Sequence, residues 1–324
     1  MLTLINLAIK GNALQDWFSG DYSKLSQFLA SHRIDGVEAI LYNEGPLEDI
    51  PSDTVIGLHL IYWPMWLDLW LNDLDRLYKE FINSQNVVNY YGFNSSEGFI
   101  RKYTEEFEAA KILGCEYMVF HVSQISIEET YSRQFHYSDR QVLDETAALV
   151  NKVFKGSGPL LLFENLWSSG LNFLDYDLTK HFIESIDYEN KGFMLDISHL
   201  LITNPAIETY AEAIDYIKKI LDNLGDLKRY IKGIHLNKSC FSGYIRENHL
   251  NKSEVSIQTS DFIKKLIDVY DHISQIDTHA PFLHEQIKEI VDRLSPEYLV
   301  YEFMPESLID WESKIESQNK FLKR

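Results

Sequence analysis

The sequence predicts an α/β chain folded as one (β/α)8 TIM barrel, a single domain over residues 1–324. Three observations carry that expectation. Eight short runs rich in β-branched, aromatic and aliphatic residues alternate with longer segments of helical period. A chain of 324 residues with 45% hydrophobic content can bury one large core of this kind. A closed barrel also leaves no exposed sheet edge, unlike an open doubly wound sheet, the competing architecture.

In chain order the strands are expected at residues 2–9 (LTLINLAI), 36–41 (GVEAIL), 55–61 (VIGLHLI), 117–122 (YMVFHV), 160–165 (LLLFEN), 192–197 (GFMLDI), 231–236 (IKGIHL) and 298–303 (YLVYEF). Helices are expected between them at 22–32, 69–84, 97–113, 139–154, 175–186, 207–224, 261–272 and 282–294, with a closing helix at 305–321. The Gly156-Ser157-Gly158-Pro159 stretch reads as an ordinary turn before the fifth strand. The sequence shows no Gly-rich phosphate fingerprint, Walker-type loop or fixed-period repeat. Residues 237–260, polar and of mixed charge, form the one long irregular region, either a lid over a site or a solvated insertion.

Composition narrows the function classes. A formal charge of −19 repels a phosphate backbone over much of the surface, so nucleic acid is a disfavoured partner and a small-molecule substrate the favoured one. Cys115 and Cys240 are too few for a disulfide framework or a thiolate metal cage and read as reduced thiols. No run reaches the roughly 18 to 20 apolar residues of a membrane helix, and Met1-Leu2-Thr3-Leu4 carries no basic flank. A cytoplasmic protein is the expectation; the oligomeric state stays open.

The chemistry sits where the strands finish, which is the reactive face of such a barrel. His59 ends VIGLH, His121 ends YMVFH, Glu164 ends LLLFE, Asp196 ends GFMLD, His235 ends IKGIH and Glu302 ends YLVYE. His199 follows Asp196 in DISH, and IDTHAPF adds Asp277 and His279. Any one of these, taken alone, reads as a hydrogen-bonded rim residue. Nine carboxylates and imidazoles converging on one rim, however, repel one another unless cations neutralise the acids. Mixed nitrogen and oxygen donors suit zinc first, with manganese, iron or cobalt as alternatives, and nine donors exceed what one ion uses, so two or three divalent ions are implied.

The series resembles the xylose isomerase-like TIM-barrel superfamily, and within it the three-metal pattern of the endonuclease IV branch. The resemblance implies one ion on His59, His121 and Glu164, and a second sharing Glu164 with Asp196, His235 and Glu302. It implies a third on His199, Asp277 and His279. Asp277 and His279 depart from that branch by lying much farther beyond His235 than its pattern places them. The stretch DGVEAILY puts Glu38 in the second strand, similar to the Gly-Val-Glu signature of the sugar isomerase and epimerase branch, as a substrate contact, a partner behind the ligands or a salt-bridge member. In HLIYWPMWLDLW, Tyr62, Trp63, Trp66 and Trp70 read as an aromatic wall for a compact substrate or as core packing, the latter favoured for Trp70. Trp167 and Lys238 complete the expected substrate-binding set.

Several reactions suit such a site. In hydrolysis the metals act as nucleophile generator and Lewis acid, with Glu164 bridging. In isomerisation or epimerisation, Glu164 and Glu302 exchange protons on opposite faces of a hydroxy-ketone, as the resemblance implies. That reading leaves His59, His121 and the Asp277/His279 pair without a task. A multinuclear enzyme acting on a small sugar-like or phosphorylated molecule is the expectation, hydrolysis ahead of isomerisation, with Glu164 and Glu302 catalytic. DNA phosphodiester hydrolysis of the abasic-site endonuclease type, a non-haem iron oxidase and a non-enzymatic metal-stabilised binding module are the further alternatives.

Overall fold

Each of the eight expected runs becomes one stave of a barrel in the computed structural model, which describes residues 1–9, 12–41, 46–51, 53–239, 244 and 261–323. The staves are β1 (Leu2–Ala8), β2 (Gly36–Ile40), β3 (Val55–His59), β4 (Tyr117–His121), β5 (Leu160–Glu164), β6 (Lys191–Asp196), β7 (Ile231–His235) and β8 (Tyr298–Tyr301). Neighbours pair in parallel all round, and β1 bonds to both β2 and β8, which closes the circle. Helices connect the strands on the outside, so the strands bury both faces and read as nearly continuous apolar runs.

Two cores follow. Inside the barrel Leu4, Tyr117, Val119, Leu162, Met194, Tyr298 and Val300 pack together, while the larger outer core lies between strands and helices. Register then fixes the rim. His121 pairs with Glu164, and Asp196 with His235, so these donors stand side by side at the same height. Because side chains two apart on a strand share a face, Val119, Leu162, Met194 and Val300 form the apolar floor directly beneath His121, Glu164, Asp196 and Glu302.

Departures from the expected helices have local causes. The span expected as one helix at 69–84 holds two, Leu67–Trp70 and Leu74–Phe81, and a further helix, Ser84–Tyr91, follows where none was expected. Asp73 accepts from the Arg76 N–H at 3.1 Å and Asn83 from the Asn86 N–H at 3.0 Å, so two short polar side chains start new helices inside an otherwise helical pattern. The helix expected from 282 begins at Ile287, because the Gln318 amide holds Phe282 by its backbone N–H at 2.7 Å and its carbonyl at 3.2 Å. Helices Asn12–Phe18 and Ile127–Ser132 and the antiparallel pair Ser123–Gln124 with Ser169–Gly170 were not foreseen. Of the irregular region at 237–260, residues 240–243 and 245–260 lie outside the described residues. No helix among the described residues is long and apolar enough to cross a membrane.

Candidate metal centre at the barrel rim

Six of the nine expected donors stand on or just past the strand ends; the other three come from the first turn of a helix (His199), a helix C-cap (Asp277) and a residue at positive φ (His279). Asp196 closes β6 and also caps the short helix Ile197–Ile202, accepting the His199 N–H at 2.6 Å, which turns the His199 ring toward the rim. Asp277 is the C-cap of the helix Phe262–Ile276. His279 sits at φ +44°, a backbone conformation that non-glycine residues adopt only when their surroundings enforce it. Here the enforcement is the paired backbone of Lys238 and Ala280, with N···O distances of 2.7 and 3.1 Å.

The donors converge in three groups, each with ligand atoms within 4.8 Å of one another: His59, His121 and Glu164; Glu164, Asp196, His235 and Glu302; and His199, Asp277 and His279. Glu164, fully buried, is common to the first two. Its carboxylate lies 3.5 Å from His59 Nε2, 3.5 Å from His121 Nε2, 3.0 Å from His199 Nδ1 and 3.3 Å from His235 Nδ1. Asp277 Oδ2 stands 3.0 Å from His199 Nε2 and 3.1 Å from His279 Nε2.

The ring nitrogens divide by the partners they face. His59 Nδ1 faces the Leu60 carbonyl at 3.3 Å, His199 Nδ1 the Asn165 carbonyl at 3.0 Å and His279 Nδ1 the Glu302 carbonyl at 2.9 Å. His235 Nε2 faces Glu38 at 3.1 Å. A carbonyl or carboxylate oxygen only accepts, so each of these nitrogens carries the proton and donates. In a neutral ring the other nitrogen then points a lone pair at carboxylates, an arrangement that is repulsive without a cation between. His59 Nε2, His235 Nδ1 and both Glu164 oxygens, which face one another, are buried without a hydrogen-bond partner, as is His121 Nδ1, the ring nitrogen other than the one nearest Glu164. Such orphans are costly in a protein interior, and a divalent ion satisfies nitrogen and oxygen lone pairs together.

Without ions, protons must supply the positive charge. Burial opposes a charged His199, but Asp196 and Asp277 outweigh it and hold its pKa well above the ordinary imidazole value. Glu302, Glu38 and Glu164 do the same to His235 against its burial. His279 rises to about 10 as Asp277 and Glu302 overcome burial. His121 goes the other way, its burial only partly offset by Glu164. Burial lifts the Asp196 carboxyl to about 7, whereas His235 and His279 overcome burial to pull Glu302 down to about 2.

The expected substrate contacts separate. Tyr62 reaches the cluster, its ring stacked on His121 at 4.4 Å and its hydroxyl 2.5 Å from Ser123 Oγ. Trp63 and Trp66, read from the sequence as part of the same wall, are instead buried: Trp63 packs against Tyr91, Phe93, Phe99 and Tyr103, and Trp66 against Phe99 and Trp70. The space left around Tyr62, Trp63, Trp66 and His121 is about 10 Å³, no more than one water fills. Trp70 donates its indole N–H to Glu145 at 2.8 Å, away from the rim. Trp167 is buried with Ile125, Ile202 and Ile276. The Lys238 ammonium lies 5.3 Å over the Tyr210 ring. Glu38 is wholly buried behind His235, which removes it from any substrate surface.

Two asparagines escaped the sequence reading. Asn237 donates to Asp196 Oδ2 at 2.9 Å and Glu302 Oε2 at 3.1 Å, while Asn165 clasps the Asp196 backbone at 2.9 and 3.0 Å. Ser198 adds a 2.6 Å hydrogen bond to Asp277 Oδ1. Asn165 directly follows Glu164, Ser198 directly precedes His199 and Asn237 lies two residues beyond His235, which was the available signal.

A parallel barrel whose strand ends gather histidines and carboxylates is the class this geometry defines. The pattern of the xylose isomerase-like TIM barrel matches residues 30–297, and the chain belongs to that family. No curated protein gives a significant sequence match. Among solved structures, endonuclease IV from Thermus thermophilus is similar with a TM-score of 0.55 at 14% identity, over 100% of this chain and 99% of its own. A sugar phosphate isomerase/epimerase from Parabacteroides distasonis gives 0.52 at 11% identity, over 99% and 93%. An L-ribulose 3-epimerase gives 0.52 at 12% identity, over 100% and 94%. At such identities the likeness is one of fold.

Proposed function

We propose that the protein is a divalent-metal-dependent enzyme holding two or three ions at its rim and hydrolysing a small sugar-like or phosphorylated substrate. The observation that carries this reading is the set of imidazoles whose outer nitrogen is committed to a carbonyl or carboxylate while the inner one faces acids. Zinc suits the mixed donors first, with manganese, iron and cobalt as alternatives. Bound there, such ions supply Lewis acidity and a water of lowered pKa. Glu164, shared by two groups, is the bridging donor. Glu302, whose side chain is 14% exposed, is the carboxylate that reaches the mouth and can handle a substrate proton.

The solved structures named as epimerases favour a second reading, isomerisation or epimerisation of a ketose. That chemistry asks Glu164 to touch substrate as an acid–base group, whereas here it is fully buried among four imidazoles. The geometry therefore favours hydrolysis. The structure named as an endonuclease supports phosphodiester chemistry, and the net charge of −19 argues for a substrate smaller than a nucleic acid.

Elemental analysis of gently purified protein, followed by turnover assays on phosphomonoesters, phosphodiesters, ketoses and abasic DNA, tests the proposal. At least two equivalents of metal and activity on a small phosphoester are expected. Fewer than two equivalents counts against the multinuclear site, and turnover confined to ketoses transfers the assignment to isomerisation.

A further inference from the structure

The layer below the rim holds a carboxylate that the reaction does not use. Strand register sets Asn6 beside Glu38, Glu38 beside Gly57 and Gly57 beside Tyr117, so these four share one level of the barrel. The rest of the barrel interior is apolar, as Leu4, Val119, Leu162, Met194 and Val300 show. A carboxylate placed here forfeits several kcal/mol of hydration and needs committed donors to remain.

Three are present. Tyr117 donates its hydroxyl to Glu38 Oε2 at 2.7 Å, and Asn6 Nδ2 donates to Oε1 at 3.2 Å. His235 Nε2 completes the set, 3.1 Å from Oε1 and 3.2 Å from Oε2, with both residues fully buried. The opposite ring nitrogen, His235 Nδ1, then looks up at Glu302 at 3.2 Å and Glu164 at 3.3 Å. Gly57 makes the arrangement possible, because a Cβ at that position would stand 2.2 Å from the Tyr117 ring.

We propose that Glu38 is the positioning residue of His235: anchored by Tyr117 and Asn6, it fixes the imidazole tautomer and aims Nδ1 into the metal centre. The inference rests on the metal-centre reading above. Carboxylates that accept the second N–H of a ligating histidine orient the ring and raise its basicity, and their loss weakens metal binding about 10- to 100-fold. Glu38, His59 and His235 also lie within 4.8 Å of one another, so a ligand role is the competing assignment. The three donors on the Glu38 oxygens argue against it.

The test titrates the metal-free protein with Zn²⁺ against a chromophoric chelator, and with Co²⁺ followed by its visible absorption. Wild type is compared with Glu38→Met, which keeps bulk without an acceptor, Glu38→Gln, which keeps an acceptor without charge, and Tyr117→Phe. Expected is a loss of about 10- to 100-fold in affinity at one site for Glu38→Met, an altered Co²⁺ spectrum and an unchanged number of sites. Glu38→Gln should recover part of the loss, and Tyr117→Phe should move in the same direction by less. Wild-type affinity and spectrum in Glu38→Met overturn the proposal, as does the disappearance of a whole equivalent, which makes Glu38 a ligand. If Glu38→Met does not fold, Glu38→Gln decides by the same criteria. Failure of the wild type to bind metal in the same titration falls instead on the metal-centre reading.

Discussion

Replacing Glu164 by glutamine keeps the shape of the side chain and removes one charge from the point where four imidazoles meet at 3.0 to 3.5 Å. A unit charge about 3.5 Å from a counter-charge, at an effective dielectric of about 20, interacts with about 5 kcal/mol. Relaxation and water entry reduce the net effect; if half survives, affinity falls roughly 100-fold per ion. Since Glu164 belongs to two of the three donor groups, two ions weaken together. The assay is metal content after dialysis, read beside turnover and a thermal melt of the metal-free protein. Glu164→Gln should lose most of its metal and on the order of 1,000-fold or more in activity, while the metal-free melt moves by only a few degrees. Retention of the full metal complement through dialysis would refute the bridging role.

Four further outcomes are expected. His279→Asn, which tolerates the positive φ, should lower the metal count by one and leave the other ions in place; loss of every ion would show that the three groups are not separable. In the metal-free protein, His279 is raised to about 10 and Asp196 to about 7 by folding, so their contributions are present at low pH and lost as pH climbs. The melting temperature should therefore fall between about pH 4 and 7 through Asp196 and between about pH 6.5 and 10 through His279, and saturating Zn²⁺ should flatten that slope; parallel curves with and without metal would contradict it. Ile82, β-branched and at φ +71°, should give about 0.5 to 1 kcal/mol of added stability as Ile82→Gly in a denaturant titration, and a destabilised variant would deny the strain. Burial lifts the Glu106 carboxyl to about 8 although it accepts the Ile61 N–H, so Glu106→Gln should gain on the wild type as pH rises from 5 to 8.5; a constant difference would show that Glu106 ionises normally.

The barrel was legible because its strands are buried on both faces and so announce themselves as apolar runs, each ended by a polar residue at the height where the reactive face begins. The convergence of His59, His121, Glu164, Asp196, His235 and Glu302 needed little more than that rule. Side-chain direction was harder. Trp63 and Trp66 directly follow Tyr62 in a stretch of high aromatic content, but whether a ring turns to the mouth or to the outer core depends on the turn after β3, which composition does not encode. Glu38 stayed open between substrate contact, a partner behind the donors and a salt-bridge member for a related reason. Its strand position was right, yet only the register that sets it level with Tyr117 and below His235 shows that it faces inward, beneath the rim and out of reach of substrate. The helix breaks at Asp73 and Asn83 were written in the sequence as capping residues and lost to the stronger apolar period around them.

The three donor groups also differ in how they are built, and this bears on what each can do. The two that share Glu164 hang from strand ends locked by the parallel ladder and floored by packed aliphatic side chains, so their spacing is set by the barrel itself. The third depends on a helix N-cap, a helix C-cap and a residue held at positive φ. A rigid pair of groups suits constant positioning of a shared carboxylate, which is what a bridging donor requires. A group assembled from caps carries its donors on segments whose backbone need not follow the barrel, and the helix Phe262–Ile276 brings Asp277 and His279 back to the rim. The unusual chain distance therefore leaves the spatial arrangement intact: Asp277 Oδ2 still meets both His199 and His279 at about hydrogen-bond range, 3.0 and 3.1 Å.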